Sequence, residues 1–346
     1  MKGFPSHINL NNSLQLVSSL LANRSTNNEQ SWMTECLDFL AEWYNEKSFI
    51  EVKTSGSTGV PKSLRLEKDF VLASAQRTIE FFQLKPGDRV LHCLPSNFIA
   101  GKLMLVRALL GDLNLQVCNP SSDFNFLKHE KYVFAALVPN QMAKILQVMP
   151  QVPIDKILLG GSAIPPMIEK QLWQQKSECY ASYAMTETAT HIALRKINGH
   201  GASTNYHCLN DISVCLDERD CLCIKMPGLQ QGELVTNDIA QLLDSKTFNI
   251  IGRADSCIIS GGKKYFPETI EQQLGVKIST PFCISAEPHE QLGSELIMLV
   301  EDVYSAERET QLKAICAELL SKHEQPRRML FVSEIPRTAN GKIKRT

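Results

Sequence analysis

A ten-residue segment rich in glycine and hydroxyl side chains, TSGSTGVPKS at residues 54–63, has the chemistry of an anion site. Glycine lets the backbone approach an anion, hydroxyls and amides donate hydrogen bonds, and Lys62 adds a positive charge. The pattern predicts a loop that binds a polyphosphate through Lys62 together with Thr54, Ser55, Gly56, Ser57, Thr58 and Gly59. The alternative interpretation is a solvated polar hairpin, which would suit a single Ser-Gly pair better than this density of donors.

The segment differs from a Walker A motif, although Lys62 and Ser63 fall on that motif's lysine and hydroxyl positions. Pro61 stands where the second glycine is required, and proline has no N–H to offer a phosphate. A Walker loop also opens a helix, whereas residues 63–66 alternate like a strand. The sequence therefore indicates a different phosphate loop, between strands at 49–53 and 63–66.

Length and composition are typical of an enzyme with one large and one small domain. The 346 residues are 43% hydrophobic and carry a net charge of −1, which gives no bias towards nucleic acid or a membrane surface. No apolar run approaches the roughly 20 residues needed to span a bilayer. Among the 11 cysteines, Cys221 and Cys223 form a close pair, and no second pair supports a zinc site. The N-terminus lacks a signal-peptide core, so reduced thiols and a cytoplasmic location are expected.

Helix and strand patterns alternate from about residue 30 to 195, which predicts a largely parallel α/β sheet. The predicted helices are 32–45, 69–83, 99–110 and 139–148, and the predicted strands are 89–94, 113–117, 132–138 and 156–159. Short strands broken by Asn, Asp and Gly at 206–251 indicate a β-rich subdomain. A small α+β module with helices at 267–274 and 306–320 follows. The predicted class is α/β, with a large N-terminal domain and a small C-terminal one.

A second cluster of functional side chains, YAMTET at 183–188, follows a strand-like run at 179–182. Tyr183 offers a flat face for an adenine, Thr186 a hydroxyl for a phosphate, and Glu187 a carboxylate for Mg²⁺. The alternative interpretation is the start of a helix capped by Thr186.

Two more clusters lie further along the chain. Asp238 can accept both hydroxyls of a ribose, and Arg253 can donate to the same sugar or to phosphate. Alternatively the two residues form a surface ion pair of little energetic value. Lys342 lies in PRTANGK at 336–342, a Pro/Gly-rich segment of a kind that is often a mobile tail.

Together these motifs resemble those of the acyl-adenylate-forming superfamily, the AMP-forming acyl- and aryl-CoA ligases, over residues 49–346. The family patterns are TSGSTGxPK, YGMTE, TGD followed by GRxD, and PRTxxGK; Ala184 and Asn237 stand where glycine is usual. The resemblance implies that a carboxylate attacks the α-phosphate of ATP to give an acyl-adenylate, from which coenzyme A then displaces AMP. It implies ATP, Mg²⁺ and coenzyme A as ligands, Glu187 as the metal ligand, Thr186 beside it, and Lys342 as the essential catalytic residue.

The resemblance also implies an adenylation domain at 1–254 and a mobile lid at 255–346 that carries the catalytic lysine. Asp255 is the expected hinge, and Gly261 and Gly262 are expected to line the pantetheine channel. Lys264 either meets the phosphates of coenzyme A or is a solvated surface lysine. Relatives carry a much longer segment before the phosphate loop, so this chain is predicted to lack most of an N-terminal subdomain. The hypothesis that follows is that a second subunit covers the flank left exposed, which would make the protein a homo-oligomer.

The acid pocket is predicted around residues 94–107, which place Lys102 and Arg107 in an otherwise apolar helix. Buried cations are costly unless paired, so these two either bind an anionic partner or snorkel to solvent. This stretch, with 158–165 and 185–191, most resembles the o-succinylbenzoate–CoA ligases of menaquinone biosynthesis, whose acid carries a second carboxylate. The resemblance implies that Arg107 binds the succinyl carboxylate in a pocket with Phe98, Lys102, Gly161, Ser162, Thr190 and His191. Phe98 stands where many relatives carry histidine, and a buried core histidine is the alternative for His191.

Two other functions remain open from the sequence. One is activation of a different aryl or short-chain acid, for coenzyme A or for a carrier protein. The other is a non-catalytic relative that binds ATP or an acyl-adenylate. In either case the expected partners are small molecules, with no nucleic acid and no membrane.

Overall fold

The computed structural model describes residues 4–23, 31–53, 63–121, 123–149, 151–229, 231–337 and 343. The chain divides into two compact units, each considered by itself. Unit 1 comprises Met1–Ile164 and Gln171–Asn210, and unit 2 comprises Pro165–Lys170 and Asp211–Thr346.

Unit 1 is built on a large mixed sheet with helices. Its strands are β1 (His7–Leu10), β2 (Ser13–Leu16), β3 (Phe49–Lys53), β4 (Ser63–Glu67), β5 (Arg89–His92), β6 (Asn114–Val117), β7 (Tyr132–Leu137), β8 (Ile154–Leu159), β9 (Glu178–Ala184), β10 (His191–Lys196) and β11 (Tyr206–Cys208). The sheet order within this unit is β11-β10-β9-β8-β7-β5-β6-β1-β2, and β3 pairs with β4 in a separate antiparallel hairpin. The helices are α1 (Val17–Ala22), α2 (Ser31–Tyr44), α3 (Lys68–Phe81), α4 (Ile99–Leu110) and α5 (Pro139–Val148). The next helix, α6 (Pro166–Leu172), begins in unit 2 and ends in unit 1.

The centre of this sheet is parallel, because β6, β5, β7, β8 and β9 run in the same direction. Strands covered on both faces read as continuous apolar runs, and β7, with the sequence YVFAAL, is buried at five of its six positions. Parallel strands present their carboxyl ends at one edge of the sheet, which is where α/β proteins bind ligands.

Helix α4 is buried on all sides rather than on one face. Its residues from Gly101 to Leu109 are all buried, as expected for a helix that is apolar around its whole circumference. Gly101 allows the helix to pass close to the preceding turn, since a Cβ there would lie 2.2 Å from the Pro95 carbonyl oxygen. This packing carries the two cations of α4, Lys102 and Arg107, into the interior of unit 1.

Unit 2 contains four strands that pair antiparallel in chain order, β12 (Ser213–Leu216), β13 (Cys221–Lys225), β14 (Glu233–Leu242) and β15 (Thr247–Arg253). Beyond it follow β16 (Ile258–Ser260), β17 (Lys263–Tyr265), α7 (Pro267–Leu274), β18 (Phe282–His289), β19 (Gly293–Glu301), α8 (Ala306–Leu319) and β20 (Arg328–Val332). This last segment has its own core, formed by apolar residues from Ile258 to Leu320, and is the predicted α+β module.

The predicted fold class is confirmed, and most predicted elements agree within a few residues, with 99–110, 139–148 and 267–274 matching in full. The sequence reasoning missed the N-terminal hairpin β1–β2 and the C-terminal sheet β18–β19–β20. All eleven cysteines are free thiols, as predicted. Within the described segments no helix is both long and apolar enough to cross a bilayer. The boundary predicted at residue 255 falls inside unit 2, and as the pivot of a lid it stays a prediction.

Candidate functional site

The carboxyl ends of β8 and β9 form the first part of the candidate site. β8 runs into Gly160 and Gly161, and Gly161 has a φ of +87° that glycine adopts without strain. A Cβ on Gly160 would lie 2.4 Å from Ser182 Oγ, which donates a hydrogen bond to the Leu159 carbonyl at 2.9 Å. These contacts fix the two strand ends together and leave Ser162 exposed just beyond them.

The segment after β9 is a tight turn organised by Thr188. The buried hydroxyl of this threonine accepts from the Met185 N–H at 3.2 Å and lies 2.7 Å from the Thr190 carbonyl, to which it donates. Ala189 adopts a φ of +61°, and its N–H donates to the Thr186 carbonyl at 3.1 Å. The chain turns here and does not form a helix, so the interpretation of Thr186 as a helix cap is wrong.

Tyr183 lies at the start of this turn, at the end of the sheet where an adenine is expected. It packs edge-on against Tyr206 with ring centroids 6.0 Å apart, and Arg195 lies 5.8 Å from the Tyr206 ring centroid. The half-buried tyrosine is therefore held by a second ring, which suits it to act as a rigid stacking surface.

Glu187 occupies the tip of the turn and is half-buried. Within the described part of the chain this carboxylate forms no ion pair with a lysine or arginine. Its carboxylate and the hydroxyl of Thr186, the preceding residue in the sequence, are hard oxygen ligands of the kind that Mg²⁺ prefers. The donor set is therefore compatible with the predicted metal.

Arg107 is the most unusual charged residue of unit 1. Its side chain is 2% exposed, and the described residues offer it no carboxylate. Its contacts are the Met104 sulfur at 3.5 Å and Thr190 Oγ1 at 3.3 Å, while the buried Nε has no hydrogen-bond partner. Burial lowers the pKa of Arg107 to about 9, so the guanidinium remains charged at neutral pH. The unmatched charge predicts an anionic ligand.

Thr190 and His191 connect Arg107 to helix α3 through a chain of hydrogen bonds. Arg107 donates to the Thr190 hydroxyl, which lies 3.3 Å from His191 Nδ1, and His191 Nε2 lies 3.4 Å from Thr78 Oγ1. Thr78 in turn donates to the Ser74 carbonyl at 3.3 Å. A neutral His191 that carries its proton on Nε2 satisfies every link of this chain, accepting from Thr190 at Nδ1 and donating to Thr78.

The electrostatic surroundings of His191 favour the same neutral form. Burial holds its pKa well below the usual range, and the positive charges of Arg107 and Arg77 lower it further. His191 is thus a buried histidine, which was the alternative interpretation, and it also positions Thr190 beside Arg107.

Lys102 lies one and a half turns before Arg107 on the same helix but has a different environment. Its ammonium group contacts Glu42 Oε2 at 2.5 Å and the Glu51 carbonyl at 2.9 Å, and it lies 5.1 Å from the Phe39 ring centroid. The alternative that both cations snorkel to solvent is wrong, since both are buried. Because Lys102 has an internal carboxylate, the physical reason for assigning it to the substrate acid is lost.

Phe98 and Lys102 line a cavity of about 330 Å³ together with Glu35, Asp38, Glu42 and Glu51. Its four carboxylates outnumber its two ammonium groups, Lys53 and Lys102, which disfavours an anionic acid. Phe98, 43% exposed at the start of α4, shares this cavity with Lys102. Arg107 is not among its lining residues. The structure therefore joins Arg107, Thr190 and His191, and separates them from Phe98 and Lys102.

In unit 2, Arg253 joins two carboxylates. Its Nη1 donates to Asp238 at 2.9 Å, while Nε and Nη2 form a bidentate pair with Asp255 at 2.9 and 2.7 Å. The hydrogen bonds that Arg253 donates to Asp255 raise the pKa of Arg253 above its ordinary value, and the guanidinium in turn lowers the pKa of Asp255. Asp238 is 9% exposed, so this cluster is more than the simple surface pair considered as the alternative.

The predicted coenzyme A channel residues lie on the β16–β17 hairpin. Gly261 and Gly262 form its turn with φ values of +56° and +77°, a conformation that favours glycine at both positions. Lys264 is exposed on the following strand, as is Lys263. The hairpin and the exposed lysine are compatible with a phosphate contact, which stays a prediction.

The phosphate loop at 54–62 and the predicted catalytic Lys342 lie outside the described residues. The loop's two flanks are described, and Lys53 pairs directly with Ser63 at the end of the β3–β4 hairpin. The roles assigned to Thr54, Ser55, Gly56, Ser57, Thr58, Gly59, Lys62 and Lys342 therefore stay predictions.

The sequence analysis did not identify Thr78, Thr188 or Glu42, which complete these arrangements. Thr78 lies on α3 and meets His191 across 113 positions of sequence, a contact that no local pattern indicates. Glu42 belongs to an amphipathic helix on which acidic residues are ordinary. A signal existed only for Thr188, because a hydroxyl within a short turn often binds the backbone of that turn.

Comparison with known proteins agrees with the motifs and the fold. Residues 53–235, more than half of the chain, match the family model described as AMP-binding enzyme. The 2-succinylbenzoate–CoA ligase of Lactococcus lactis is 24% identical over 325 residues, which cover 88% of this chain and 71% of the relative. The enzyme of the same name from Escherichia coli is 26% identical over 318 residues, or 88% of this chain and 68% of the relative.

Two solved structures extend the comparison. An acyl-CoA synthetase (AMP-forming)/AMP-acid ligase II-like protein from Dyadobacter fermentans is 31% identical, with a TM-score of 0.59, and the match covers 93% of this chain and 95% of that one. The o-succinylbenzoate CoA synthetase of Bacillus subtilis shares the fold at 21% identity and a TM-score of 0.74, over 85% of this chain and 67% of that one. The chain belongs to the AMP-binding enzyme family.

Proposed function

We propose that this protein is an AMP-forming acid–CoA ligase with a dicarboxylic acid as substrate, specifically o-succinylbenzoate. The observation that carries the substrate is the buried guanidinium of Arg107, which lacks a carboxylate within the described residues. The names of the Lactococcus and Escherichia relatives support the same acid. An acid with one carboxylate to activate and a second one to pair with Arg107 accounts for both facts.

The chemistry follows from the poor reactivity of a carboxylate towards a thiol, because the leaving group would be oxide. Attack of the carboxylate oxygen on the α-phosphorus of ATP forms the mixed anhydride and releases pyrophosphate. The thiolate of coenzyme A then attacks the acyl carbon, and AMP leaves. No protein nucleophile is needed, so the work of the chain is to position reactants and to offset negative charge.

Individual residues are assigned roles by their chemistry. The loop at 54–62 binds the β- and γ-phosphates, Tyr183 stacks on the adenine, and Asp238 binds the ribose hydroxyls. Arg253 is already bonded to Asp238 and Asp255, so its role is to orient Asp238. Glu187 and Thr186 are the residues that would hold Mg²⁺, which when bound supplies positive charge to the phosphates. Lys342 stabilises the negative charge that develops at the reacting centre.

Arg107 binds the carboxylate that is not activated. The hydrogen-bond chain from Thr190 through His191 to Thr78 keeps the guanidinium in place before the acid arrives. A preorganised, water-excluded cation favours an acid with a second charge over one without it. The sequence resemblance assigns Arg107 the succinyl carboxylate, and the contacts of Arg107 are compatible with either carboxylate of the acid.

Release of pyrophosphate on addition of o-succinylbenzoate, ATP and Mg²⁺ tests the reaction. We expect turnover that falls on the order of 10²- to 10³-fold in Lys342→Ala, because a charge stabiliser at the reacting centre is lost. Lys344→Ala, two residues away, is the matched control and should keep the wild-type rate. Full adenylation by Lys342→Ala would support a non-catalytic or differently organised relative instead.

A panel of acids tests the substrate. Brisk pyrophosphate release with benzoate or a short-chain acid, and none with o-succinylbenzoate, would contradict the proposed acid while preserving the reaction class. Replacing coenzyme A by a phosphopantetheinylated carrier protein in the second step distinguishes the two thiol acceptors. We expect the thioester of coenzyme A.

A further inference from the structure

Two cysteines and a glutamate on neighbouring strands of unit 2 bring their ligand atoms together. The sulfur atoms of Cys215 and Cys223 and a carboxylate oxygen of Glu233 all lie within 4.8 Å of one another. In a tetrahedral zinc site with Zn–S bonds near 2.3 Å, two sulfur ligands are separated by about 3.8 Å. The observed spacing is within about 1 Å of that arrangement, which rotation of the side chains can supply.

The strand register explains why these side chains meet. Cys215 on β12 is directly opposite Cys223 on β13, so both sulfurs point to the same face of the antiparallel pair. Glu233 on β14 is opposite Lys225, which lies two residues after Cys223 and thus on the same face. Three adjacent strands therefore contribute to one cluster, which rests on regular sheet geometry rather than on a mobile loop.

The backbone hydrogen bonds show which kind of antiparallel pair the two cysteines form. Asp217 N–H donates to the Cys221 carbonyl at 2.9 Å, and the Val214 N–H points away from β13 to the Ser245 carbonyl. Alternation along the strand makes Cys215 and Cys223 a hydrogen-bonded pair, with α-carbons about 5.5 Å apart. This separation leaves room for an ion between the two sulfurs.

The charges of the cluster also suit a divalent cation. Two thiolates and one carboxylate around a divalent ion leave a net charge of −1. The ammonium of Lys225, 3.2 Å from Glu233 Oε2 and half-exposed, neutralises that charge. Thiolates select zinc over the hard cations that prefer oxygen ligands. Cys223 is 2% exposed, while Cys215 and Glu233 are partly accessible, which gives the ion a path of entry.

We propose that Cys215, Cys223 and Glu233 form a zinc-binding site on the strands of unit 2. None of these three residues has a proposed role in the acid–CoA ligase reaction. Each sulfur bonds to the ion as its thiol proton leaves to solvent. The site joins three strands and is expected to stabilise the sheet.

The test uses the full-length protein in a metal-free, non-thiol reductant. Zinc affinity is measured by competition with a chromophoric chelator, and cobalt substitution reports sulfur coordination through its charge-transfer absorption. We expect one tightly bound ion per chain, at least 100-fold weaker binding in Cys223→Ser, and about 10-fold weaker binding in Glu233→Gln. Loss of a group that supports a ligand typically costs about 10- to 100-fold in metal affinity, and loss of a ligand is expected to cost at least as much.

Cys257→Ser is the matched control, because Cys257 is a partly buried cysteine of the same unit outside the cluster. This variant should bind zinc as wild type does. The unfolding temperature should rise with zinc in wild type and in Cys257→Ser, but not in Cys223→Ser. Circular dichroism of the milder variant Glu233→Gln verifies that a loss of binding is not a loss of fold.

Two outcomes would overturn the site. In one, zinc binds equally well to wild type and Cys223→Ser, which would assign the uptake to other thiols. In the other, zinc does not bind in the reduced state, and Cys215 and Cys223 instead form a disulfide in air. That result would identify a redox pair.

Discussion

The two buried cations of helix α4 have different electrostatic surroundings. At one end Lys102 is 7% exposed and meets the carboxylate of Glu42 within the chain. At the other end Arg107 is 2% exposed, and its neighbours among the described residues are a thioether, a threonine and a neutral histidine. Both cations lie in the same apolar helix, yet the described residues supply a carboxylate to Lys102 alone.

The difference separates a structural charge from a functional one. A buried pair holds the elements that supply its two members, here α2 and α4. A buried charge without a partner destabilises the free protein, and it is tolerated where a ligand supplies the missing charge. The lesson is that burial alone does not identify a binding residue; burial without a counter-charge does.

The largest expected effect is on catalysis by Arg107→Met, which removes the charge but keeps a long apolar side chain. We expect kcat/KM for o-succinylbenzoate to fall about 10³-fold, which corresponds to about 4 kcal/mol of lost binding to the second carboxylate. The melting temperature should stay constant or rise, since the variant removes a buried charge to which the described residues offer no carboxylate. A fall in stability with unchanged activity would show that Arg107 is the structural charge and does not bind the substrate.

Lys102→Met should show the opposite pattern. Removing Lys102 leaves the carboxylate of Glu42 without its partner. Because the Glu42 side chain is 24% exposed, we expect a smaller loss of stability than for a fully buried pair. We expect the free energy of unfolding in urea to fall by about 2 kcal/mol, with kcat/KM almost unchanged. Adding Glu42→Gln to this variant should recover part of the loss. If the single variant instead abolishes activity at full stability, Lys102 belongs to the acid pocket after all.

Acidification should destabilise the protein through its neutral buried histidines. Burial lowers the pKa of His92 to about 4 and holds that of His191 well below 6.5. Between these values and 6.5 the unfolded chain binds protons that the folded chain does not, so stability falls as pH falls. Each histidine contributes on the order of 1 kcal/mol per pH unit in that window. His191→Gln should reduce the slope of unfolding free energy between pH 6.5 and 5, and an unchanged slope would argue against a neutral His191.

The smallest effect is expected for an exposed pair. Arg65 lies 3.8 Å from Glu51, and both side chains are at least half-exposed. Arg65→Gln should change the free energy of unfolding by less than about 0.5 kcal/mol, because water already solvates the two charges. If Arg65→Gln changed the free energy of unfolding as much as Lys102→Met, solvent exposure would not explain the difference between the two ion pairs.

Much of the parallel sheet could be predicted, because its elements carry local signals. β7 is a continuous apolar run, and α5 begins with a proline that favours the first helical turn. The N-terminal hairpin was missed because β2, with the sequence SLQL, is mostly exposed at the edge of the sheet and lacks a hydrophobic pattern.

The candidate site could be predicted only in part. The sequence indicated that Lys102 and Arg107 needed anionic partners, but the distinction between them depends on Glu42, which meets Lys102 across 60 positions. Thr78 on α3 likewise meets His191 on β10, far away in the sequence. Such contacts are set by packing between distant elements, and neither local spacing nor composition encodes them.

The most direct test of the second-carboxylate assignment compares Arg107→Met with wild type on three acids. These are o-succinylbenzoate, 4-oxo-4-phenylbutanoate, which lacks the ring carboxylate, and 2-propanoylbenzoate, which lacks the succinyl carboxylate. Pyrophosphate release by wild type should favour o-succinylbenzoate strongly, with weak turnover of one monocarboxylate. In Arg107→Met the rate with o-succinylbenzoate should fall to the level of that monocarboxylate, whose own rate should not change. An equal loss on all three acids would contradict the assignment of Arg107 to the second carboxylate.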